Sequence, residues 1–168
     1  MNIIRGNGWS EPVPPVVVLG VGNELLTDEG LGVVAARQLS RCSLPGVEVV
    51  EAGTPGLALL PTIAGRHAVL ILDAVAVDDA TPGDLVVLRG EEVPRAHNML
   101  LAAHQVGVPE AIVTAELAGC RPEKLAVVGM VPACLDVGYG LSQVVWWQLG
   151  ALVKAARALL REWGVGDA

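Results

Sequence analysis

The chain has 168 residues, 52% of them hydrophobic and only 17% charged, with a net charge of −7 and a sequence pI of about 4.8. That length fits one domain of ordinary size, and such a domain buries about 68–70% of its unfolded surface without needing a disulfide or metal staple. The acidic balance and the absence of any Lys/Arg-rich stripe argue against nucleic acid and against an anionic membrane surface.

Residues 1–15 are polar and rich in Gly and Pro, and Pro12, Pro14 and Pro15 stop regular structure there. They read as a flexible arm ahead of a single domain over residues 16–164. The arm lacks the apolar core of a signal peptide. Residues 16–19 are a short Val/Leu run that predicts a buried strand ending at Gly20. A helix follows over 29–39, then a second strand over 47–50 ending at Glu51. Gly53-Thr54-Pro55-Gly56 predicts a turn, residues 57–64 a short helix, and residues 68–72 a third strand ending at Asp73.

Strand, helix, strand, helix, strand at this spacing predicts parallel βαβ units. Thr81-Pro82-Gly83 turns the chain into a further strand over 84–88, which can run antiparallel. Residues 106–117 predict a helix and residues 125–131 another buried strand. The last helix spans 142–163, with Val145, Leu149, Leu152, Ala156, Leu159, Leu160 and Trp163 recurring on one face. Ser142 is its predicted N-cap and Gly164 its stop. The fold class is therefore α/β: one three-layer αβα domain around a twisted, mainly parallel sheet. The apolar part of the last helix is interrupted by Gln148, Lys154 and Arg157, so nothing in it spans a membrane. Cys42, Cys120 and Cys134 are scattered and form no CxxC pair, which suits reduced thiols in a cytoplasmic protein and not a cysteine zinc site.

Three acids occupy informative positions. Glu29 follows the loop after the first strand, Glu51 ends the second and Asp73 ends the third. In a parallel sheet all three lie at the carboxyl edge, where open α/β sheets bind their ligands; each one singly also suits a capping role. The opening loop reads Gly20-Val21-Gly22-Asn23-Glu24-Leu25-Leu26-Thr27-Asp28-Glu29-Gly30-Leu31-Gly32. It departs from a dinucleotide loop because Leu25 stands where the third glycine belongs. Asp28 and Glu29 then occupy the helix N-terminus, where carboxylates repel a phosphate. The loop suits a cation or a positively polarised group. Of the three histidines, His67 precedes the third strand as a surface residue, His97 lies in a loop with no acid at ligand spacing, and His104 sits in a loop just before a helix. No Gly-x-Ser-x-Gly elbow occurs, and no cysteine adjoins a histidine base, which disfavours serine and cysteine protease mechanisms.

The ensemble resembles the hydrogenase maturation endopeptidases. Their opening pattern G-x-G-N-x-L-x-x-D-[DE]-G-x-G is matched throughout residues 20–32, and Glu51-Ala52-Gly53-Thr54-Pro55-Gly56 resembles their [DE]-x-G-T-x-G turn. Leu72-Asp73-Ala74, Pro82-Gly83, His104-Gln105-Val106-Gly107, Val128-Gly129-Met130-Val131-Pro132 and Gly140-Leu141-Ser142 continue the likeness over about residues 16–160. Pro132-Ala133-Cys134 departs from it, since many members read P-E-S there.

The resemblance implies that Glu29, Asp73 and His104 are both catalytic and metal-contacting. Glu51, Gly53 and Thr54 are placed at the substrate cleft, and Asp28 supports the helix start. It implies nickel presented by the substrate and not held tightly by the free protease, because two carboxylates and one imidazole leave coordination positions open and imidazole suits several metals. The partner implied is the immature large subunit of a nickel-iron hydrogenase, cut at one peptide bond by a monomeric protease, with the nucleophile either activated by a carboxylate or a metal-bound water. A non-catalytic nickel-dependent assembly factor or metallochaperone with the same ligands is the rival reading, and a nucleotide-binding α/β protein a third.

Overall fold

Valine-rich runs with a side-chain period of two dictate the core of the molecule. The computed structural model describes residues 14–54, 56–95, 99 and 108–166. Five strands, β1 (Val16–Val21), β2 (Val47–Gly53), β3 (Ala68–Ala74), β4 (Leu85–Arg89) and β5 (Lys124–Met130), form one sheet in the order β2-β1-β3-β5-β4. All neighbours run parallel except β4, which is antiparallel to β5. The position in that order explains the sequence of each strand. β1 and β3 are interior and buried at every residue, while the edge strand β4 alternates between exposed and half-buried positions.

Helices α1 (Leu31–Leu39) and α5 (Gln143–Glu162) cover one face, and α2 (Leu60–Ile63), α3 (Glu92–Arg95) and α4 (Val108–Leu117) belong to the other. Val16 and Val18 of β1 join the first layer with Leu70 and Leu72 of β3, whereas Val17, Leu19 and Val21 join the second with Val69 and Ile71. The predicted stripe on α5 is buried from Val145 to Leu160. Gly164, with a φ of 81°, closes that helix: its N–H donates to the Arg161 carbonyl at 2.9 Å and that of Val165 to Leu160 at 3.0 Å. This paired pattern is how a glycine in the left-handed region satisfies the last carbonyls of a helix.

The fold class matches the expectation, and the differences lie at element ends. β1, β2 and β3 run two or three residues further toward the carboxyl edge than the apolar runs suggest, because Gly20, Glu51 and Asp73 keep their ladder partners. The expected helix over 57–64 is a 3-10 turn at Gly56–Leu59 followed by the short α2, whose first residues include Pro61. α3 has no strong signal in sequence. Residues 1–13 of the arm lie outside the described residues. Pro14 and Pro15 are tied to the amino edge: the Pro14 carbonyl accepts from the Arg66 guanidinium at 2.6 Å, and the Pro15 carbonyl from the His67 N–H at 2.9 Å.

The first helix approaches the sheet at backbone contact. A Cβ on Gly32 would collide with the carbonyl oxygens of Leu72 and Val21, and one on Gly20 with Gly32 itself. Gly30, two residues earlier, backs onto the Cα of Glu24. Since the neighbours of Gly32 are backbone atoms that cannot swing aside, Gly32→Val is expected to cost about 3 kcal/mol, the upper part of the overpacking range. For a chain this long that corresponds to a melting temperature lower by roughly 6–12 °C. A thermal unfolding curve that coincides with wild type contradicts the close approach.

Candidate active site

At the carboxyl edge of β1 the chain leaves the sheet through Gly22, whose φ of 137° is accessible to glycine and strained for other residues. A Cβ there would meet the backbone of Glu29, so the loop folds directly back over its own start. Asn23 does not take the left-handed turn that its residue type allows. Its side-chain oxygen accepts from the Leu25 N–H at 3.0 Å, and Thr27, with a φ of 48°, carries the strained position instead. A 3-10 turn at Thr27–Gly30 then precedes α1, so Glu29 sits on that turn and not in the first turn of the α-helix.

Asp28 is fully buried, and its carboxylate is the hub of this edge. One oxygen accepts from the N–H groups of Ala133 and Cys134, both at 2.9 Å, and from the Ser142 hydroxyl at 2.8 Å. The other accepts from the Ser142 N–H at 2.7 Å. The expected role in starting its own helix is thus replaced by a role at another one: Asp28 makes no capping bond to the turn that holds it. It fixes Ser142, which occupies the N-cap position of α5 but spends its hydroxyl on Asp28. Backbone bonds complete the seam, from Thr27 N–H to the Gly138 carbonyl at 3.0 Å and from Gly138 N–H to Leu25 at 2.9 Å. Ala133 and Cys134, the pair that departs from the P-E-S pattern, meet Asp28 through main-chain atoms, so their side chains are free to vary.

Glu29 and Asp73 both reach this edge. The 3-10 turn carrying Glu29 packs against β3, and Asp73, fully buried, is the last residue but one of that strand. One Asp73 oxygen accepts from the Ala74 N–H at 2.8 Å. By the alternation along β3, Asp73 follows Val69 and Ile71 onto the α4 face of the sheet. His104 lies outside the described residues, as does His97. The flanking described residues are Met99, whose carbonyl accepts from Ala76 N–H at 2.7 Å just beyond β3, and Val108, which starts α4. The far end of α4 meets the amino edge through Cys120, whose carbonyl accepts from Gly65, so Val108 begins at the carboxyl edge. Among the described residues no three His, Cys, Asp or Glu side chains gather closely enough to hold a metal. His67 is half-exposed at the amino edge, 3.3 Å from a Glu123 oxygen and far from this site.

At the carboxyl ends of β1 and β2 runs an open groove of about 390 Å³, walled by Gly22, Glu24, Leu25, Gly53, Thr54 and Tyr139. Gly53 and Thr54 line it, whereas Glu51 is engaged behind it. Arg37 of α1 donates to Glu51 at 2.6 and 3.0 Å and to both oxygens of Glu24 at 2.9 and 3.1 Å. One guanidinium so ties the opening loop to the end of β2. Hydrogen bonding from Arg37 holds the Glu24 carboxyl below its ordinary value of 4.5, against a smaller opposing effect of burial. Glu24 and Glu51 in turn raise Arg37. Neither Arg37 nor the groove wall at Tyr139 is prominent by local pattern. The usable signal for Tyr139 is compositional: it is the single Tyr of a chain without Phe, set between two glycines.

The hydrogenase maturation protease profile matches residues 33–159. A hydrogenase 2 maturation protease of Escherichia coli is 38% identical over 152 residues, covering 89% of this chain and 93% of that protein. The chain belongs to the hydrogenase maturation protease family. The solved structure of the hydrogenase maturating endopeptidase HybD from E. coli superposes on the protease with a TM-score of 0.85 at 37% identity, over 90% of this chain and 94% of that one. The HybD protease from Thermococcus kodakarensis gives a TM-score of 0.71 at 28% identity, over 86% and 97%. The protease is accordingly a peptidase, which decides against the non-catalytic assembly factor and the nucleotide-binding reading. No helix among the described residues is long and apolar enough to cross a membrane.

Two outcomes follow from the geometry of this edge. Asp28→Ala removes the acceptor of three part-buried N–H groups, and losing hydrogen bonds of this kind costs about 1 kcal/mol or more in total. The protease variant is expected to unfold at lower denaturant, with faster amide exchange at Ala133, Cys134 and Ser142; unchanged exchange at all three rules out the clamp. Arg37→Gln tests the ion pairs. Because the folded-state value of Glu24 is depressed, its contribution is complete above about pH 4.5 and disappears as the pH falls through the lowered value. Both partners are more than a third exposed, so the difference from wild type at pH 7 is expected to be no more than about 1 kcal/mol. Denaturant titrations at pH 7 and pH 3 measure it, and a difference that grows on acidification has the wrong sign.

Proposed function

We propose that the protease removes the C-terminal peptide from the nickel-loaded large subunit of a nickel-iron hydrogenase, and that Glu29, Asp73 and His104 receive the nickel that this substrate carries. The observation behind this reading is that the turn carrying Glu29 packs against β3 at the carboxyl edge of the sheet, where that strand carries the buried Asp73 and where α4 begins. Oxygen and imidazole donors fit a borderline divalent metal, and three such ligands leave room for thiolates from the substrate. The free protease therefore holds nickel weakly, and the metal acts as a mark that licenses the cut. In the hydrolysis water adds to the scissile carbonyl carbon, one carboxylate of the pair takes its proton, and the departing amine receives a proton. Gly53 and Thr54 border the bound peptide, with Glu51 held by Arg37 setting the end of β2 behind them.

The protease works as a monomer in the cytoplasm in this reading. Its cysteines Cys42, Cys120 and Cys134 are all free thiols, a state that persists in a reducing compartment.

Glu29→Gln, Asp73→Asn and His104→Ala are each expected to leave nickel-loaded precursor at its full mass, while wild type shortens it and leaves nickel-free precursor uncut. Intact-mass spectrometry reads both results, and circular dichroism verifies that the variants are folded. Cleavage by all three variants at the wild-type rate moves the catalytic site elsewhere. Alkylation of the thiols is expected to leave wild-type cleavage unchanged.

A further inference from the structure

The loop that Asp28 holds and the first turns of α5 expose more apolar surface than folding requires. Val137 is 88% exposed, Tyr139 84%, Trp147 72% and Trp146 59%. Packing of α5 on the sheet does not use these tryptophans, because its buried stripe is Val145, Leu149 and Leu152. Over residues 143–152 the helix carries no charged side chain, and the first charge is Lys154. An aromatic, charge-depleted surface has the composition of the centre of a protein–protein interface, and contiguous exposed apolar patches mark such contacts.

The patch continues the groove of the candidate active site. Tyr139 belongs to both, forming a groove wall with Leu25 and Val33. On the other side of α1, Trp146 lines a second recess with Val34 and Arg37, and Arg37 reaches back to Glu24 in the groove. A protein that lays a chain segment in the groove therefore meets Tyr139, and the loop that carries Tyr139 runs directly into the helix that exposes the two tryptophans. The only macromolecule that the groove must admit for the reaction is the precursor, and its peptide emerges from a folded body that needs somewhere to rest.

We propose that Val137, Tyr139, Trp146 and Trp147 form a docking surface for the folded body of the large-subunit precursor, next to the groove that takes its C-terminal segment. This inference rests on the substrate assignment made above. Docking of this kind is binding shared by ground state and transition state, so its loss raises KM and spares kcat.

The test uses the full-length protease and nickel-loaded precursor, with Val137→Ser, Trp147→Ser and their combination. Leu117→Ser is the control, since Leu117 is equally exposed at the opposite end of the molecule, where α4 meets the amino edge. The double variant is expected to raise KM by about tenfold or more, as loss of an interface hot spot does, with kcat and melting temperature retained and Leu117→Ser like wild type. Unchanged KM in a double variant that cleaves normally overturns the docking surface and leaves the substrate assignment standing. Folded wild type that leaves nickel-loaded precursor uncut overturns the substrate assignment, and the docking surface with it. Sedimentation that finds a wild-type dimer, dissociated by Trp147→Ser with KM unaffected, assigns the patch to a second copy of the chain and overturns the proposal.

Discussion

A buried carboxylate that accepts hydrogen bonds from four neutral groups holds the working edge of this molecule together. Asp28 lies in the loop that leaves β1, yet every group it binds comes from the loop after β5 and from the start of α5. Desolvating a carboxylate is costly, and that cost is met only while the donors stay aimed at it. The same bonds thereby orient the groove wall that bears Tyr139, the first turn of α5 and the 3-10 turn that carries Glu29. Removing the donors would leave a buried charge, so the two loops are held as one unit and not as two adjustable flaps.

Glycine supplies the complementary condition. Gly20 and Gly32 let α1 touch the sheet through backbone atoms, which brings the start of the helix down to the ends of β1 and β3. A side chain at either place would lift the helix and carry the turn that bears Glu29 away from β3, the strand that carries Asp73. The motif that identifies the family is in this sense a packing motif: four of its eight fixed positions, Gly20, Gly22, Gly30 and Gly32, serve the approach of main chain to main chain.

The layers of the fold are legible in the sequence because β1, β3 and β5 are short buried runs of Val, Leu and Ala and because α5 has a continuous stripe from Val145 to Leu160. Glu29, Glu51 and Asp73 could be placed on one edge from strand polarity alone. What polarity cannot tell is which acid has a partner. Arg37 lies 14 residues from Glu51 and 13 from Glu24, a separation with no local pattern, and it pairs with both. Asp28 and Glu29 look equivalent as adjacent acids at a helix start, and only donors more than a hundred residues away distinguish them. The 3-10 turn and the left-handed Thr27 were hidden for the same reason, since both are imposed by the seam with Gly138 and not preferred by their own residues.

The partners of Asp28 lie 105 to 114 residues downstream of it. Synthesis runs from the N-terminus, so the opening loop and all three leading strands emerge well before the groups that hydrogen-bond that carboxylate. Contacts of such sequence separation close late, after the entropy of the intervening chain has been overcome. A ribosome-bound chain that has not yet released Ser142 carries Glu29 and Asp73 but has no finished edge on which to hold them. The edge that bears Glu29 is completed only with the start of the final helix.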